Sequence, residues 1–584
     1  QWMVAAKKAD FYAIAEKFHV DPVVARIIRN REVIGEKNIR IYLGGNLSDL
    51  SDPHQMKDMD RLVEILAQKI RKQVHIRIIG DYDVDGVTSS HLFLTALRRV
   101  GAKVDVVIPH RIQDGYGLSL HLLQQAKEDG VDTILTCDNG IAAIDEIAWA
   151  KAQKMTVLVT DHHAVPFEEH EGRRTEKKSL ADAVVNPHQQ DCGYPYKELC
   201  GAGVAWNVIR VLYENYDMDK REAEDLLDFV AMATVCDVMS LTGENRILVK
   251  EGLKRIRHTK NIGLQALMQA CNVQPENISA YHFGYVLGPC VNATGRLDTA
   301  RHALRLFETG QETEAEEIAR DLVDLNQERK ELTLQGVEMA KKLCEEGGYE
   351  NDPILVLFLP DVHESIAGLI AGRIREMYNR PVFVLTRGEE GVKGSGRSTE
   401  NYSMYENMCG CAELFTKFGG HPMAAGLSLP EENVEKFRRK INENCPLTVE
   451  EVCPDIHIDM AMPVGYASTE LVHQFALLEP FGKDNPSPLF ADRNLSISRM
   501  WVIGKNRNVL RMSVLSEYGQ PVPVIFFGDV ETLFAYFTEK FGQEEVENAL
   551  HGRKNRILFS MVYTAKIDFY QGNENLQLEM KYYR

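Results

Sequence analysis

Three aspartates, Asp81, Asp83 and Asp85, occupy alternate positions in "IRIIGDYDVDGVTSSH" (76–91), directly after a run of aliphatic residues. Like charges this close repel strongly, and turn chemistry asks for one Asp, not a row of them. On an extended chain Asp83 and Asp85 fall on the same side. More polar groups follow other apolar runs: His110 and Arg111; Asp138, Asn139 and Gly140; Asp161, His162 and His163; and Asn186, Pro187 and His188. Asp237 is a lone acid within "FVAMATVCDVMSL", where an unpaired buried carboxylate is costly. Taken singly, Asp138 reads as a turn residue, Asp237 as a cap of the next turn, and His188 as a turn residue. Converging, the acids need a counter-ion. Aspartate oxygens with a few imidazoles and no thiolate suit Mn2+ or Mg2+ better than zinc. A surplus of carboxylates points to two ions sharing a bridging Asp.

The elements that must position these groups are short runs of β-branched residues alternating with helical stretches: "VHIRIIG" (74–80), "KVDVVIP" (103–109), "DTILTC" (132–137), "MTVLVT" (155–160) and "ADAVVNP" (181–187). Such alternation predicts a parallel sheet with helices on both faces, whose ligands bind beyond the carboxyl ends of the strands. Residues 1–70 read as a helical segment, containing the amphipathic "DRLVEILAQKIRKQ". Residues 308–346 read as a connecting helix, either one rod or two packed helices. Residues 347–462 carry a second, smaller α/β pattern, and 463–584 turn β-rich with strands split by Gly, Asn and Lys, which fits a small barrel. The first α/β domain then spans 71–307.

These residues carry a resemblance. "GDYDVDG", "CDNG", "TDHH" and "VCDVMSL" resemble the DHH phosphoesterase superfamily; "HESIAGLIAGRI" (363–374), "GSGRS" (394–398) and "GGHPMAAG" (419–426) resemble the DHHA1 domain that follows DHH in one branch. Within that branch the order of motifs, with "GPCVNATGRL" (288–297), "LEPFGKDNP" (478–486) and an OB-like C-terminal part, is similar to the RecJ family of bacterial single-strand-specific 5′→3′ DNA exonucleases. The resemblance implies a parallel-sheet DHH domain and a smaller α/β DHHA1 domain joined by a long helix, plus an OB-like β-barrel. It implies two ions, Mn2+ or Mg2+, on Asp83, Asp85, Asp138, His162 and Asp237, with Asp138 as the bridge. Asp81 matches the first acid of the motif. His163 would face the scissile phosphate, and Asp161 would orient an imidazole. Gly86 would let the next helix start tightly against the ions. An activated water would then cleave the phosphodiester and release 5′-mononucleotides.

Feeling a 5′ end calls for phosphate-binding groups, and Arg binds phosphate bidentately. By resemblance Arg111, Arg296, Ser395 and Arg397 form that pocket, the last two in a Gly-rich loop whose amides could cradle an anion. His363 and Arg373 are the polar exceptions on an apolar helix, and His421 lies among small residues. All three are expected on the DNA side of the cleft. Trp501, Phe527, Tyr563 and Tyr570 are aromatic candidates for stacking on single-stranded DNA; a lone surface Arg or a barrel aromatic is otherwise solvated or core. Family membership suggests single-strand-binding protein and a RecQ-type helicase as partners. The alternative is a DHH–DHHA1 phosphodiesterase acting on short oligonucleotides or cyclic dinucleotides, whose members are shorter and lack an OB-like tail.

Bulk numbers agree. With 584 residues, 44% hydrophobic and 26% charged, the chain has material for three or four soluble domains. No run of about 18 apolar residues predicts a transmembrane helix. The N-terminus lacks a signal layout, and the eleven Cys show one close pair, Cys409 and Cys411, so reduced thiols in a bacterial cytosol are expected. A net charge of −18 argues against coating nucleic acid by bulk attraction.

Overall fold

The computed structural model describes residues 1–110, 117–170, 173–297, 299–349, 351–388, 391–504, 508–570 and 572–584. They fall into two units, one of residues 50–239 and 248–454, the other of 1–49, 240–247 and 455–584.

The larger unit holds the sheet on which the acids depend. Its strands are β1 (Ile76–Ile79), β2 (Val104–Val107), β3 (Thr133–Cys137), β4 (Thr156–Thr160) and β5 (Ala183–Val185), parallel in the order β2-β1-β3-β4-β5. β1, β3 and β4 are short runs rich in β-branched residues and buried, as strands covered on both faces should be; the edge strand β2 is half-buried, its Asp105 paired with Arg77 of β1. Register aligns their carboxyl ends: Ile79 lies opposite Thr136, Cys137 opposite Thr160, and Thr160 opposite Val185. The residues that follow, Asp81, Asp138, Asp161 and Asn186, therefore leave the sheet along one edge. The strand order reverses direction between β1 and β3, the switch point where doubly wound sheets open a crevice. Helices α1 (Val84–Arg99), α2 (Gly201–Asn215), α3 (Leu227–Cys236) and α4 (Gly288–Leu297) close round that edge.

The connection is one continuous helix, α5 (Glu312–Glu346), 35 residues long or about 52 Å at ~1.5 Å per residue, which settles the choice between one rod and two helices. Its second half packs Val337, Ala340 and Cys344 into a core with the next α/β layer. There β6 (Leu355–Phe358), α6 (Glu364–Tyr378), β7 (Val382–Gly388), β8 (Gly391–Arg397), β9 (Lys417–His421) and β10 (Ala424–Leu429) form a sheet ordered β9-β10-β8-β7-β6. The segment "KGSGRS", expected as a loop, is strand β8, paired on both sides with β7 and β10. Its glycines serve packing: a Cβ at Gly394 would lie 2.4 Å from Leu385, and one at Gly396 2.3 Å from the Met404 sulfur. "GGHPMAAG" is a hairpin of β9 and β10, with His421 exposed near its tip.

In the other unit, β11 (Phe490–Ile503), β12 (Val509–Leu515), β13 (Pro521–Phe527), β14 (Leu558–Tyr570) and β15 (Asn573–Tyr583) follow one another as β11-β12-β13-β15-β14, and β14 pairs back to β11. A meander, a parallel β13–β15 pair and a closing return make the five-stranded OB barrel. The long β11 serves both neighbours through register shifts near Arg499 and Asp492, the bend that bulges supply. Val24, Ile27, Ile28 and Tyr42, from helices within residues 1–49, share one core with Leu478, Phe490, Met512 and Phe559.

Candidate active site

The row of aspartates is not a strand tip. β1 ends at Ile79, Asp83 is the N-cap of α1, accepting a hydrogen bond from the Gly86 amide at 3.0 Å, and Asp85 lies in the first turn. The alternate spacing thus spreads three carboxylates round a loop and a helix start. Gly86 is tight against the Asp81 backbone, where a Cβ would stand 2.5 Å from its nitrogen and oxygen, so its small size serves the strand-to-helix turn. Asp85 accepts from the Gly201 and Ala202 amides at 2.6 and 2.7 Å, an anion on the N-terminus of α2. The Ser89 hydroxyl donates to the same Asp85 oxygen as Ala202, at 3.4 Å. The same Gly201 presses on Asp138, with a Cβ position 2.6 Å from the Asp138 Cβ. Asp138 itself has φ 60°, a left-handed conformation that Asp tolerates and functional sites favour.

Across the edge, His162 Nε2 stands 3.1 Å from Asp138, 3.6 Å from Asp237 and 3.7 Å from Asp85. Asp161 accepts from the Ile141, His162 and His163 amides and from His163 Nδ1 at 2.8 Å, so its oxygens are spent on orientation. Asp237 is the C-cap of α3, the end of a helix where a negative charge is disfavoured. Three sets of ligand atoms lie within 4.8 Å of one another: Asp138, His162 and His163; Asp85, His162 and Asp237; and Asp81, Asp83 and Asp138. His188 donates its amide to the Asn186 side chain, a turn contact.

Electrostatics test whether cations fit. Burial, then the charges of Asp85, Asp83, Asp237 and Asp81, pushes the Asp138 carboxyl well above the usual range; burial and Asp85 do the same to Asp83. Burial likewise holds His162 low, in its neutral, ligating form, and its buried Nε2 makes no hydrogen bond. Against burial, Asp161 drives His163 up to about 9. The nearby thiol of Cys137 is pushed up to about 12 by burial, and burial raises Cys200 and Cys236 too. Neutral thiols, buried carboxylates short of positive charge and an imidazole nitrogen without a hydrogen bond suit hard divalent ions.

The second α/β layer faces this cluster. A cavity of about 450 Å³ runs from Tyr82, between Asp81 and Asp83, to Ser365, Lys393, Ser395 and Lys417. Arg296 donates to the Ser365 carbonyl at 2.6 Å. Gly368 of α6 leaves room for the Arg397 guanidinium and for Ser395, 2.8 and 3.5 Å from its Cβ position. Arg296, Ser395 and Arg397 are thus brought together. His363 caps α6 through Ser365. Arg373 lies on the exposed face of α6 beside Glu376, and it does not line the cavity. Arg111 falls outside the described residues. In the barrel unit Trp501 and Phe527 are exposed. Tyr563 is core, its hydroxyl donating to the Met462 carbonyl at 2.9 Å, and the Tyr570 side chain lies outside the described set.

Comparison with known proteins fits this geometry. Residues 75–234 match the DHH family, N-terminal domain, residues 351–445 the DHHA1 domain and residues 458–582 the RecJ OB domain. The chain is 32% identical to the single-stranded-DNA-specific exonuclease RecJ of Haemophilus influenzae, covering 96% of each chain. The chain belongs to the RecJ family. It is also 33% identical to RecJ of Bacillus subtilis over 87% of its own length, spanning 63% of that relative. The crystal structure of RecJ in complex with Mn2+ from Thermus thermophilus matches with a TM-score of 0.81 at 25% identity, over all of this chain and 79% of that one. Mixed α/β architecture and DHH, DHHA1 and OB domains are therefore features of this RecJ-family chain. No helix among its described residues is long and apolar enough to cross a membrane.

Sequence reasoning passed over several groups. Lys417 brings positive charge to the cavity from outside any motif, and Lys393, the first residue of "KGSGRS", lines it while paired with Glu364 at 2.8 Å. Asn292 accepts from the Val84 amide at 3.1 Å and so anchors the start of α1; it lies inside the quoted "GPCVNATGRL" without having been singled out. Tyr281 and Tyr285 stack with centroids 5.0 Å apart, both exposed. They sit on a segment whose π-helical part, Phe283–Leu287, packs against α3 near Asp237, and such bulges mark functional sites. Two Tyr four residues apart were the available signal.

Proposed function

We propose that this chain degrades single-stranded DNA from the 5′ end and releases 5′-mononucleotides, using two divalent ions, Mn2+ or Mg2+. The observation that carries the reading is Asp138, the carboxylate common to two of the three ligand groups at the sheet edge. Asp81, Asp83, Asp85, His162 and Asp237 complete the set that would hold the ions. When bound, paired ions acidify water and neutralise phosphate charge.

The rest of the work falls to side chains. Asp161 ties down Nδ1 of His163, which leaves Nε2 to meet the scissile phosphate. Arg296, Ser395 and Arg397 take the terminal 5′-phosphate, with Lys417 adding positive charge and Arg111 a further candidate. His363 and His421 belong to the DNA side of the cleft. A passage of this size admits one strand, and Tyr281 and Tyr285 offer a platform on which a base stacks. The barrel, with Trp501 beside Arg511 in a groove of about 380 Å³, binds single strands in the OB manner. A phosphodiesterase for very short oligonucleotides would have no use for that barrel. Single-strand-binding protein and a RecQ-type helicase are the proposed partners, and the bacterial cytosol the proposed location.

Product analysis tests the reading. Oligonucleotides, single- and double-stranded, blocked at either end, are incubated with Mn2+ or Mg2+. A bulky 5′ block and duplex structure should protect, and a 3′ block should not. Protection by the 3′ block alone overturns the polarity.

A further inference from the structure

Two cysteines the chemistry does not use face each other behind the site. Cys290, on α4, and Cys271, at the C-cap of the helix Ile262–Ala270, have sulfurs 3.7 Å apart. Cys290 is buried and Cys271 partly exposed. The surroundings are unusual for a core thiol. Asn326 of α5 donates its amide to the Cys290 sulfur at 3.4 Å, and its own carbonyl is held by the Arg329 guanidinium at 2.8 Å. Lys330 adds positive charge. A relay from guanidinium to amide to sulfur favours thiolate, the form that reacts, against the Val286 carbonyl, to which the thiol donates at 3.3 Å. Contact with Cys271, helped by Asn326, Lys330 and Arg329 and opposed by burial, holds the Cys290 thiol below its ordinary value.

We propose that Cys271 and Cys290 form a reversible disulfide on exposure to a peroxide, and that this disulfide turns the nuclease site down. The Cys290 sulfur, the partner drawn toward thiolate, attacks the peroxide. An S–O bond forms, the O–O bond breaks, and the thiol proton leaves with the departing oxygen as water. Cys271, whose thiol the contact with Cys290 raises, then attacks the sulfenic sulfur. The S–S bond forms, the S–O bond breaks, and a second water carries off the Cys271 proton. Two sulfurs are oxidised and two peroxide oxygens reduced. Disulfides of this kind in a reducing compartment are transient sensors rather than staples.

The link to the site is α4. Closing the pair to about 2.05 Å draws the sulfurs together by more than an ångström. On the same helix Asn292 holds the Val84 amide at the start of α1, Gly288 lies against Cys236 beside Asp237, and Gly295 lies against the Tyr82 carbonyl, with no room for a Cβ at either glycine. Arg296 reaches α6. A shift of α4 therefore reaches Asp83, Asp85 and the cavity together, and misplacement by ~1 Å can cost on the order of 100-fold in rate.

The control half of the proposal rests on the nuclease reading above, whereas the thiol chemistry does not. Full-length protein is treated with hydrogen peroxide, quenched, and mapped by non-reducing peptide mass spectrometry, with single-strand cleavage measured before treatment, after it, and after dithiothreitol. The expected result is a Cys271–Cys290 cross-linked peptide, a fall in rate of roughly 10- to 100-fold, recovery with dithiothreitol, and no fall in Cys271→Ser. Absence of the cross-linked peptide from oxidised wild type overturns the proposal, and so does a cross-link that leaves the rate unchanged. Inactivity of the reduced protein counts against the nuclease reading alone, since the peptide map reads the disulfide by itself.

Discussion

Burial and four neighbouring carboxylates hold the Asp138 carboxyl well above its ordinary range, so in metal-free protein this side chain opposes folding. Asp138→Asn should therefore do two opposite things. Cleavage should vanish and Mn2+ binding weaken, while the metal-free protein gains stability, by roughly 0.5–2 kcal/mol. Calorimetric Mn2+ titration with turnover assays checks the first half, thermal unfolding in chelator the second. Near-normal turnover in the variant would remove Asp138 as the shared ligand. Asp228 makes a cleaner case, away from the metal cluster. Burial raises its carboxyl to about 6, against hydrogen bonds from Thr259 and the Phe229 amide. A folded value above the unfolded one means that its contribution to stability is full below about pH 3.8 and is lost as pH rises through about 6. Asp228→Asn should then unfold later than wild type at pH 8, by on the order of 2–3 kcal/mol, and the gap should close below pH 4. Urea titrations at the two pH values measure it, and a gap that does not depend on pH refutes the assignment.

Helix α4 and strand β8 are the elements that carry the site from one layer to the other. Gly295→Ala would place a methyl group 2.5 Å from the Tyr82 carbonyl. The fold should survive and the loop of Asp81 and Asp83 should move, with a rate loss on the order of 100-fold at unchanged far-ultraviolet dichroism. Arg397, at the end of β8, separates end recognition from chemistry. Wild type should prefer a 5′-phosphorylated strand over a 5′-hydroxyl one. Arg397→Ala should lose most of that preference, roughly 10- to 150-fold for a charge-assisted contact worth ~1.5–3 kcal/mol, and still bind Mn2+. If the preference persists in full, end recognition lies with Arg111 or Arg296. These elements also mark how far the sequence could be read. β1 to β5 are legible because each is a short run dominated by β-branched residues with a polar group after its end, and that same pattern brings Asp138, Asp161 and His162 to one edge. β8 is not, because a strand made of Gly, Ser, Lys and Arg has no local propensity; it exists because β7 and β10 pair with it. Asp83 was read as part of an extended row, although an Asp three residues before a Gly amide is as readily a helix cap. Arg373, polar on an otherwise apolar helix, lies on its exposed face beside Glu376.

At the scale of the molecule the chain ends belong together. Residues 1–70 read as one helical segment, yet 1–49 belong with 455–584 and residues from 50 onward with the larger unit; no local pattern records that Val24 and Ile28 share a core with Phe490 and Met512, some four hundred positions away. Deleting 1–49 should strip protection from β11 to β15 while β1 to β5 keep theirs, as each fully buried Val or Ile contributes roughly 1.5–3 kcal/mol. Hydrogen exchange read by mass spectrometry checks this, and a barrel with unchanged protection would show that it is self-sufficient. Residues 240–247 belong to the same unit, where buried Arg246 donates to the Tyr42, Leu477 and Leu478 carbonyls at 2.8 Å each. This arrangement sets a clock for biosynthesis. The helices of 1–49 leave the ribosome well before the strands of 455–584 that share their core. The roughly 400 residues between them take on the order of 20–80 s at about 5–20 residues per second. For that interval the nascent chain carries a finished catalytic half and an apolar leader with nothing to lie against, so the newborn protein is a client for chaperones until its last strand emerges.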